Sequence, residues 1–305
     1  MIIDKSIAIA ILARDCEKSL ANNIPKIEQL RTYFKSSSVI VIENDSIDRT
    51  KEILKTWEKQ AQNVIVISED YHTQTIPIKT AECPFPGGSK HRMDKMCMYR
   101  NKYMEYLGKN KIECDYLIVM DIDVDDFAVE GVVKAINYAP SNWTALFANG
   151  FRYLNLLRKI RIKLKYYDAY PLILSSKDDD KIIIGQTFRE VVENADRVSR
   201  QLRRKKYIRC VSAFGGIGIY KYEHIQNKQY FTIPNNRSSN FEVLCDHVSL
   251  NYSLYKEMPG TSYISSEMMV FYERIRSVKL FILQIMSFKL QKIVYEILKR
   301  KKFPV

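Results

Sequence analysis

The chain has 305 residues, 46% hydrophobic and 27% charged, which suits one large α/β domain or two small ones and excludes a disordered or fibrous class. A net charge of +13 admits phosphorylated ligands, nucleic acid or an anionic membrane surface as partners. No uninterrupted apolar stretch reaches the roughly 18 residues of a spanning helix. The six cysteines show no CxxC spacing, so they read as reduced thiols of a cytoplasmic protein rather than a disulfide frame or zinc site.

The opening MIIDKSIAIAILARDC lacks a basic leader, and residues 6–13 read as a first buried strand rather than a signal peptide. Asp15 to Phe34 reads as a helix, because Leu20, Ile24, Ile27 and Leu30 recur at helical spacing. VIVIE at 39–43 reads as a second strand, followed by a turn and a helix from about 49 to 60. VIVIS at 64–68 reads as a third strand. Residues 70–89, with three prolines and Gly87-Gly88, read as a loop. A helix over 90–107 leads to an apolar strand at 116–120, which ends on Asp121-Ile122-Asp123. This alternation predicts a parallel sheet with covering helices.

Beyond residue 127 the pattern loosens. A helix is expected at 129–137, a strand at 145–151, apolar segments around the glycines of 211–220, and a helix from about 245 to 256. The main domain is expected over 1–260, with a basic insertion at about 152–206, and 261–305 as a helical extension that binds membrane or a partner.

The chemistry-bearing residues sit at strand and helix ends. Ligands of open α/β sheets bind beyond the carboxyl ends of the strands, where Asp121 and Asp123 fall. Two hard oxygen ligands there suit Mg²⁺ or Mn²⁺ that also holds a diphosphate; the alternative is a polar turn. Glu43 and Asp45 close an early strand, where carboxylates suit a ribose diol or base edge; a turn with a helix cap is the alternative. Arg92, Lys95 and Arg100 lie on neighbouring faces of one helix, and arginine suits phosphate. Gly215 and Gly216 either admit a ligand close to the backbone or mark a bulge. Asp246 reads as a general base or a helix cap, and His247 as a metal ligand, a phosphate partner or a core residue.

The segments IAIAILARDCEKSL, VIENDSIDRTKEIL, RMDKMCMYRN, VMDIDV, YYDAYPL, SAFGGIGIY and CDHVSLNYSL follow one another in an order that resembles GT-A fold glycosyltransferases. The resemblance is strongest to the fungal capsule α-1,3-mannosyltransferase family and its bacterial and viral relatives, and more distant to family 2 glycosyltransferases. It implies a Rossmann-like, mostly parallel sheet flanked by helices. It also implies metal-dependent transfer of a hexose from a nucleotide sugar to a glycan or lipid-linked acceptor in surface polysaccharide or glycan synthesis. By this resemblance Glu43 and Asp45 lie near base and ribose, and Arg92 and Arg100 line the nucleotide or diphosphate. Asp121 and Asp123 form the DxD pair, with Asp123 the direct ligand of Mn²⁺ or Mg²⁺. Gly215 and Gly216 border the donor sugar. Asp246 matches the base of inverting family 2 enzymes, although Cys245 stands where that family often has Glu, and His247 is the further metal ligand. The capsule family favours retention of configuration, the Asp246 match inversion.

Two blocks concentrate the positive charge. Residues 152–166 carry six basic side chains and no acid; residues 278–305 carry seven against Glu296. Leu283, Met286, Leu290, Ile293 and Ile297 keep helical spacing, so 278–303 is expected to form a cationic amphipathic helix on an anionic membrane surface. That places the chain peripherally on the inner face of the membrane. No nucleic-acid motif is recognisable, so nucleic acid is not the expected partner. The alternative reading is a non-catalytic GT-A-like scaffold that binds anionic membrane or nucleic acid.

Overall fold

The computed structural model describes residues 2–83, 85–155, 162–175, 184–238 and 241–272. The amphipathic helix expected at 278–303, and residues 156–161 of the other basic block, lie outside the described residues.

The first half alternates as its periodicity predicts. It runs β1 (Ile3–Ala13), α1 (Glu17–Arg31), β2 (Phe34–Asn44), α2 (Thr50–Gln60), β3 (Val64–Glu69), α3 (Lys90–Lys109) and β4 (Tyr116–Asp121). The four strands are parallel in the order β3-β2-β1-β4. Their runs are continuously apolar because both faces are covered. Ile7, Ile9, Ile11, Val39, Val41, Ile118 and Met120 pack with Leu20 and Ile27 of α1 and Trp57 of α2. Ala8, Ala10, Ile40, Ile42, Leu117 and Val119 face the other way, onto Tyr103, Met104 and Leu107 of α3. Successive side chains of a strand alternate faces, so one run feeds two cores. Each fully buried large side chain contributes about 1.5–3 kcal/mol.

The second half continues with β5 (Asp126–Phe127), α4 (Val129–Asn137), β6 (Ala145–Asn155), β7 (Ile162–Tyr166), β8 (Ile173–Leu174) and α5 (Phe188–Gln201). Then follow β9 (Tyr207–Ser212), β10 (Ile217–Lys221), α6 (Asp246–Glu257) and β11 (Ser262–Phe271). The sheet extends as β4-β10-β6-β11-β9-β8, with β10 antiparallel to both β4 and β6.

Three elements differ from the sequence reading. Residues 262–271 form β11, deep in the sheet between β6 and β9, so the main domain runs past the expected boundary at 260. The register of β11 against β6 shifts between Ile264 and Met269. That bulge accommodates Ser265-Ser266-Glu267 and hides the strand's alternation in sequence. Within the expected basic insertion, β7 pairs antiparallel with β6, and α5 packs through Ala195 and Val198. A capping box starts α5: the Thr187 hydroxyl accepts the Glu190 N–H, and the Glu190 carboxylate accepts the Thr187 N–H.

All six cysteines are free. No helix among the described residues is long and apolar enough to cross a membrane. Parallel register brings the carboxyl ends of β1, β2 and β4 to one edge, with Ala13 opposite Glu43 and Leu12 opposite Asp121.

Candidate active site

A cleft of about 860 Å³ opens at that edge. Arg14 and Asp15 line it from the end of β1, Asn44 from β2, and Thr75 and Ile76 from the long loop before α3. Asp121 and Asp123 line it from the end of β4. The far wall comprises Tyr167, Asp168, Tyr170, Phe214, Phe241 and the start of α6, Cys245 to His247. From α3 come Arg92, Met96, Tyr99 and Arg100, whose spacing puts them on one helix face. Ser89 caps α3 by accepting the Arg92 N–H at 3.3 Å, which fixes the turn that carries Arg92.

Asp121 is held from several directions. Its backbone N–H donates to the Gly216 carbonyl at 2.9 Å, and the Tyr272 hydroxyl donates to its Oδ2 at 3.3 Å. Arg100 Nη2 lies 4.0 Å from its Oδ1. Burial pushes the Asp121 carboxyl well above its ordinary range, the Asp123 charge adds to this, and Arg100 opposes it. Asp123 is also pushed up, chiefly by poor hydration in the recess. Two carboxylates that each resist ionisation form a site that gains from a cation. Two hard oxygens fit a divalent ion that completes its shell with diphosphate oxygens and water. Among the described residues no group of three His, Cys, Asp or Glu side chains is disposed to hold a metal. Thus Asp121, Asp123 and His247 are not gathered into one donor set, contrary to the sequence expectation for His247. The His247 ring lies on Phe214, with centroids 3.7 Å apart. Burial pushes its pKa down to about 3, with Arg100 adding to the effect, so the imidazole is neutral. Neither ring nitrogen has a protein partner.

Asp246 is also placed differently from the base role expected of it. Its Oδ2 accepts from Arg100 Nε at 2.5 Å, and the two side chains are only 5% and 3% exposed. Burial alone would push this carboxyl up, but the Arg100 guanidinium outweighs it and holds the group well below the usual carboxylate range. A carboxylate so bound is a poor proton acceptor. Its effect is to orient Arg100, which also lies over Phe214 and Tyr230 at 5.6 and 5.8 Å. Arg100 Nη1 and Arg92 Nε are buried without partners, while Arg92 Nη1 donates to the Gly87 carbonyl at 2.7 Å. Both arginines therefore keep donors for an anion.

Glu43, Asp45, Gly215 and Gly216 do not line the cleft. Glu43 is fully buried and accepts the Ser46 N–H at 2.9 Å and the Ser68 hydroxyl. Asp45, at φ +52°, accepts the Tyr71 and His72 N–H groups at 2.7 and 2.8 Å. It lies 3.6 Å from Arg14 Nη1. These carboxylates bind the turn after β2 to the loop behind it, and Asp45 orients Arg14 toward the cleft. Gly215 and Gly216 take φ +68° and +92°. A Cβ on Gly215 would lie 2.1 Å from the Ala148 carbonyl oxygen of β6, and one on Gly216 would lie 2.9 Å from Val270 of β11 and 3.1 Å from the Tyr272 hydroxyl, so the glycines admit neighbouring protein atoms rather than a ligand.

Among the residues that sequence reasoning left without a role are Arg14, Asp168 and Tyr272. Arg14 directly follows the apolar run of β1. Asp168 is the only acid between residues 152 and 177, a lone carboxylate in a basic stretch. Its Oδ2 accepts the Gly215 N–H at 2.9 Å. Burial pushes its pKa up to about 6; the Gly215 bond opposes this and the Asp246 charge adds to it. Tyr272, just past β11, packs against Tyr167 with ring centroids 4.0 Å apart and the rings tilted by 43°.

Among solved structures the chain is similar to the mannosyltransferase PcManGT from Pyrobaculum calidifontis in complex with GDP-Man and Mn²⁺. There the TM-score is 0.44 and the identity 9%, over 97% of this chain and 65% of that one. It is also similar to S. aureus TarS 1–349 (TM-score 0.45, 12% identity, 87% of this chain and 60% of that one). A third is glucosyl-3-phosphoglycerate synthase from Mycobacterium tuberculosis with UDP (TM-score 0.41, 11% identity, 99% and 82%). The chain thus spans less than two thirds of the first two. No curated relative matches the sequence. The family profile described as Cryptococcal mannosyltransferase 1 matches residues 6–251, from β1 into α6, and the chain belongs to that family of glycosyltransferases.

Proposed function

We propose that the chain is a divalent-cation-dependent glycosyltransferase that moves a hexose from a nucleotide sugar to a glycan or lipid-linked acceptor. Family membership makes mannose the first sugar to test. The observation that carries this reading is the end of β4. Asp121 and Asp123 face one cleft together with Arg92 and Arg100, which hold buried, unpartnered N–H donors. That combination suits a diphosphate bound through a cation and two guanidinium groups.

Asp121 and Asp123 would hold Mn²⁺ or Mg²⁺, which when bound neutralises negative charge on the leaving diphosphate. Arg100 and Arg92 donate hydrogen bonds to the same oxygens and stabilise charge as the sugar departs. Asp246 fixes Arg100 in place. Arg14, Asn44 and the Thr75–Ile76 loop bind the nucleoside at the β1–β2 end of the cleft. With Asp246 bound to Arg100 and the chain in the mannosyltransferase family, retention of configuration is the better-supported outcome. Residues 278–303 hold the chain on an anionic membrane surface, where a lipid-linked acceptor is presented. The support for this is their cationic, amphipathic pattern.

The test is thermal unfolding and donor hydrolysis across UDP-, GDP-, dTDP- and CMP-sugars, each with Mn²⁺, Mg²⁺ or chelator. One nucleotide class should raise Tm only with metal, by mass action. Asp123→Asn, a nearly isosteric change in the cleft lining, should keep the parent's Tm without ligand and lose the metal-dependent rise. No rise with any nucleotide and metal would refute the reading.

A further inference from the structure

We propose that Asp168 is the carboxylate that stabilises the positive charge developing on the donor sugar as its bond to the diphosphate breaks. The inference rests on the glycosyltransferase reading above.

Sheet order supports the position. From the β2 edge inward, Asn44, Arg14 and Asp121 stand at the ends of β2, β1 and β4. The next strand inward is β10, which begins just past the Gly215-Gly216 turn. If the nucleoside occupies the first positions and the diphosphate meets Asp121, the sugar extends toward β10. Asp168 is the cleft carboxylate at that end. The Gly215 N–H fixes its Oδ2, and the Gly216 carbonyl fixes the Asp121 backbone. One two-residue turn therefore sets the spacing between Asp121 and Asp168.

Of the other cleft acids, Asp15 lies at the β1 end, where it accepts the Ile47 N–H, Asp123 belongs with Asp121 to the cation site proposed above, and Asp246 and Asp121 are held by neighbours. Asp246 is bound by Arg100 and by Cys245 Sγ, and Asp121 by Tyr272 with Arg100 near. Among the described residues Asp168 makes no ion pair, and its hydrogen-bond donor is the Gly215 backbone N–H. Arg100 and Arg92 act on it only at longer range, and Asp246 repels it. With a pKa near 6 it is ionised at neutral pH but poorly satisfied, so a cation forming beside it is favoured.

The step balances simply. The bond from the sugar C1 to the diphosphate oxygen breaks, and its electron pair leaves on that oxygen. The acceptor oxygen bonds to C1, and the acceptor's proton ends on the departing diphosphate. Asp168 stays ionised and unbonded throughout.

The test compares the parent with Asp168→Asn, which keeps an oxygen to accept the Gly215 N–H, and Asp168→Ser, which removes the charge with a shorter polar side chain. Three quantities are measured with the nucleotide sugar that the parent turns over: affinity, hydrolysis in water, and transfer to methyl α-mannopyranoside. Affinity should stay within about threefold, while hydrolysis and transfer fall together by about 100-fold or more, the usual loss of one electrostatic stabiliser. Hydrolysis within about threefold of the parent overturns the inference, whether or not transfer falls, since the group then does not act on the donor. A comparable loss of donor affinity overturns it too, since the role is then structural. A parent that turns over no nucleotide sugar overturns the glycosyltransferase reading itself, whereas an active parent with active variants overturns this inference alone.

Discussion

Arg100→Met isolates the ion pair beneath the cleft. Arg100 and Asp246 are 3% and 5% exposed, so water hardly screens them. Removing the guanidinium leaves a buried carboxylate without compensation, which costs about 3–5 kcal/mol. The lost contacts with the Phe214 and Tyr230 rings are worth about 0.5–2 kcal/mol, and the methionine recovers part of that by packing. The pH dependence reverses. With Arg100 present, the Asp246 pKa is depressed on folding. Its stabilisation is then present above the ordinary carboxylate pKa and lost as pH falls through the depressed value. Without Arg100, burial governs and raises the pKa. Stability is then retained below the ordinary value and lost as pH rises. The penalty should therefore be largest near pH 8 and shrink toward pH 4. Urea unfolding of the parent, Arg100→Met and Arg100→Met/Asp246→Leu at both pH values measures it. The double variant should recover most of the loss at pH 8. A penalty at pH 8 under about 1 kcal/mol, or one independent of pH, would refute the account.

Gly215→Ala should cost at least about 3 kcal/mol, since the left-handed φ alone costs about 1–2 kcal/mol and the new Cβ meets a backbone oxygen that cannot rotate away. Gly108→Ala in α3, where a Cβ meets nothing within 4 Å, should instead stabilise by about 0.5–1 kcal/mol, and chemical unfolding compares the two directly. Ser89→Ala removes the cap of α3 and should cost about 1 kcal/mol in the same assay; an unchanged midpoint would show that the cap bond is not formed.

The sequence alone determined the strand–helix alternation from β1 to β4, because burial on both faces demands apolar runs and amphipathic helices demand a 3.6-residue period. It also marked Asp121 and Asp123, since the charge that ends a buried strand falls at the sheet edge, where the cleft opens. Arg92 and Arg100 were legible for a similar reason: two turns apart, they share a helix face. β11 was not legible, because its bulge breaks the alternation that announces a strand. Nor were the partners. Arg100 meets Asp246 across 146 positions, and Asp168 meets Gly215 across 47. Periodicity reports which face a residue presents, not what stands opposite. Tertiary structure therefore decided that Asp246 serves Arg100, that Glu43 and Asp45 hold loops, and that the glycines admit a neighbouring strand. It also placed Asp168 in the cleft wall opposite the end of β4, beside the Gly215 N–H. A titratable side chain takes its chemistry from its surroundings, and those surroundings assemble only when distant segments meet.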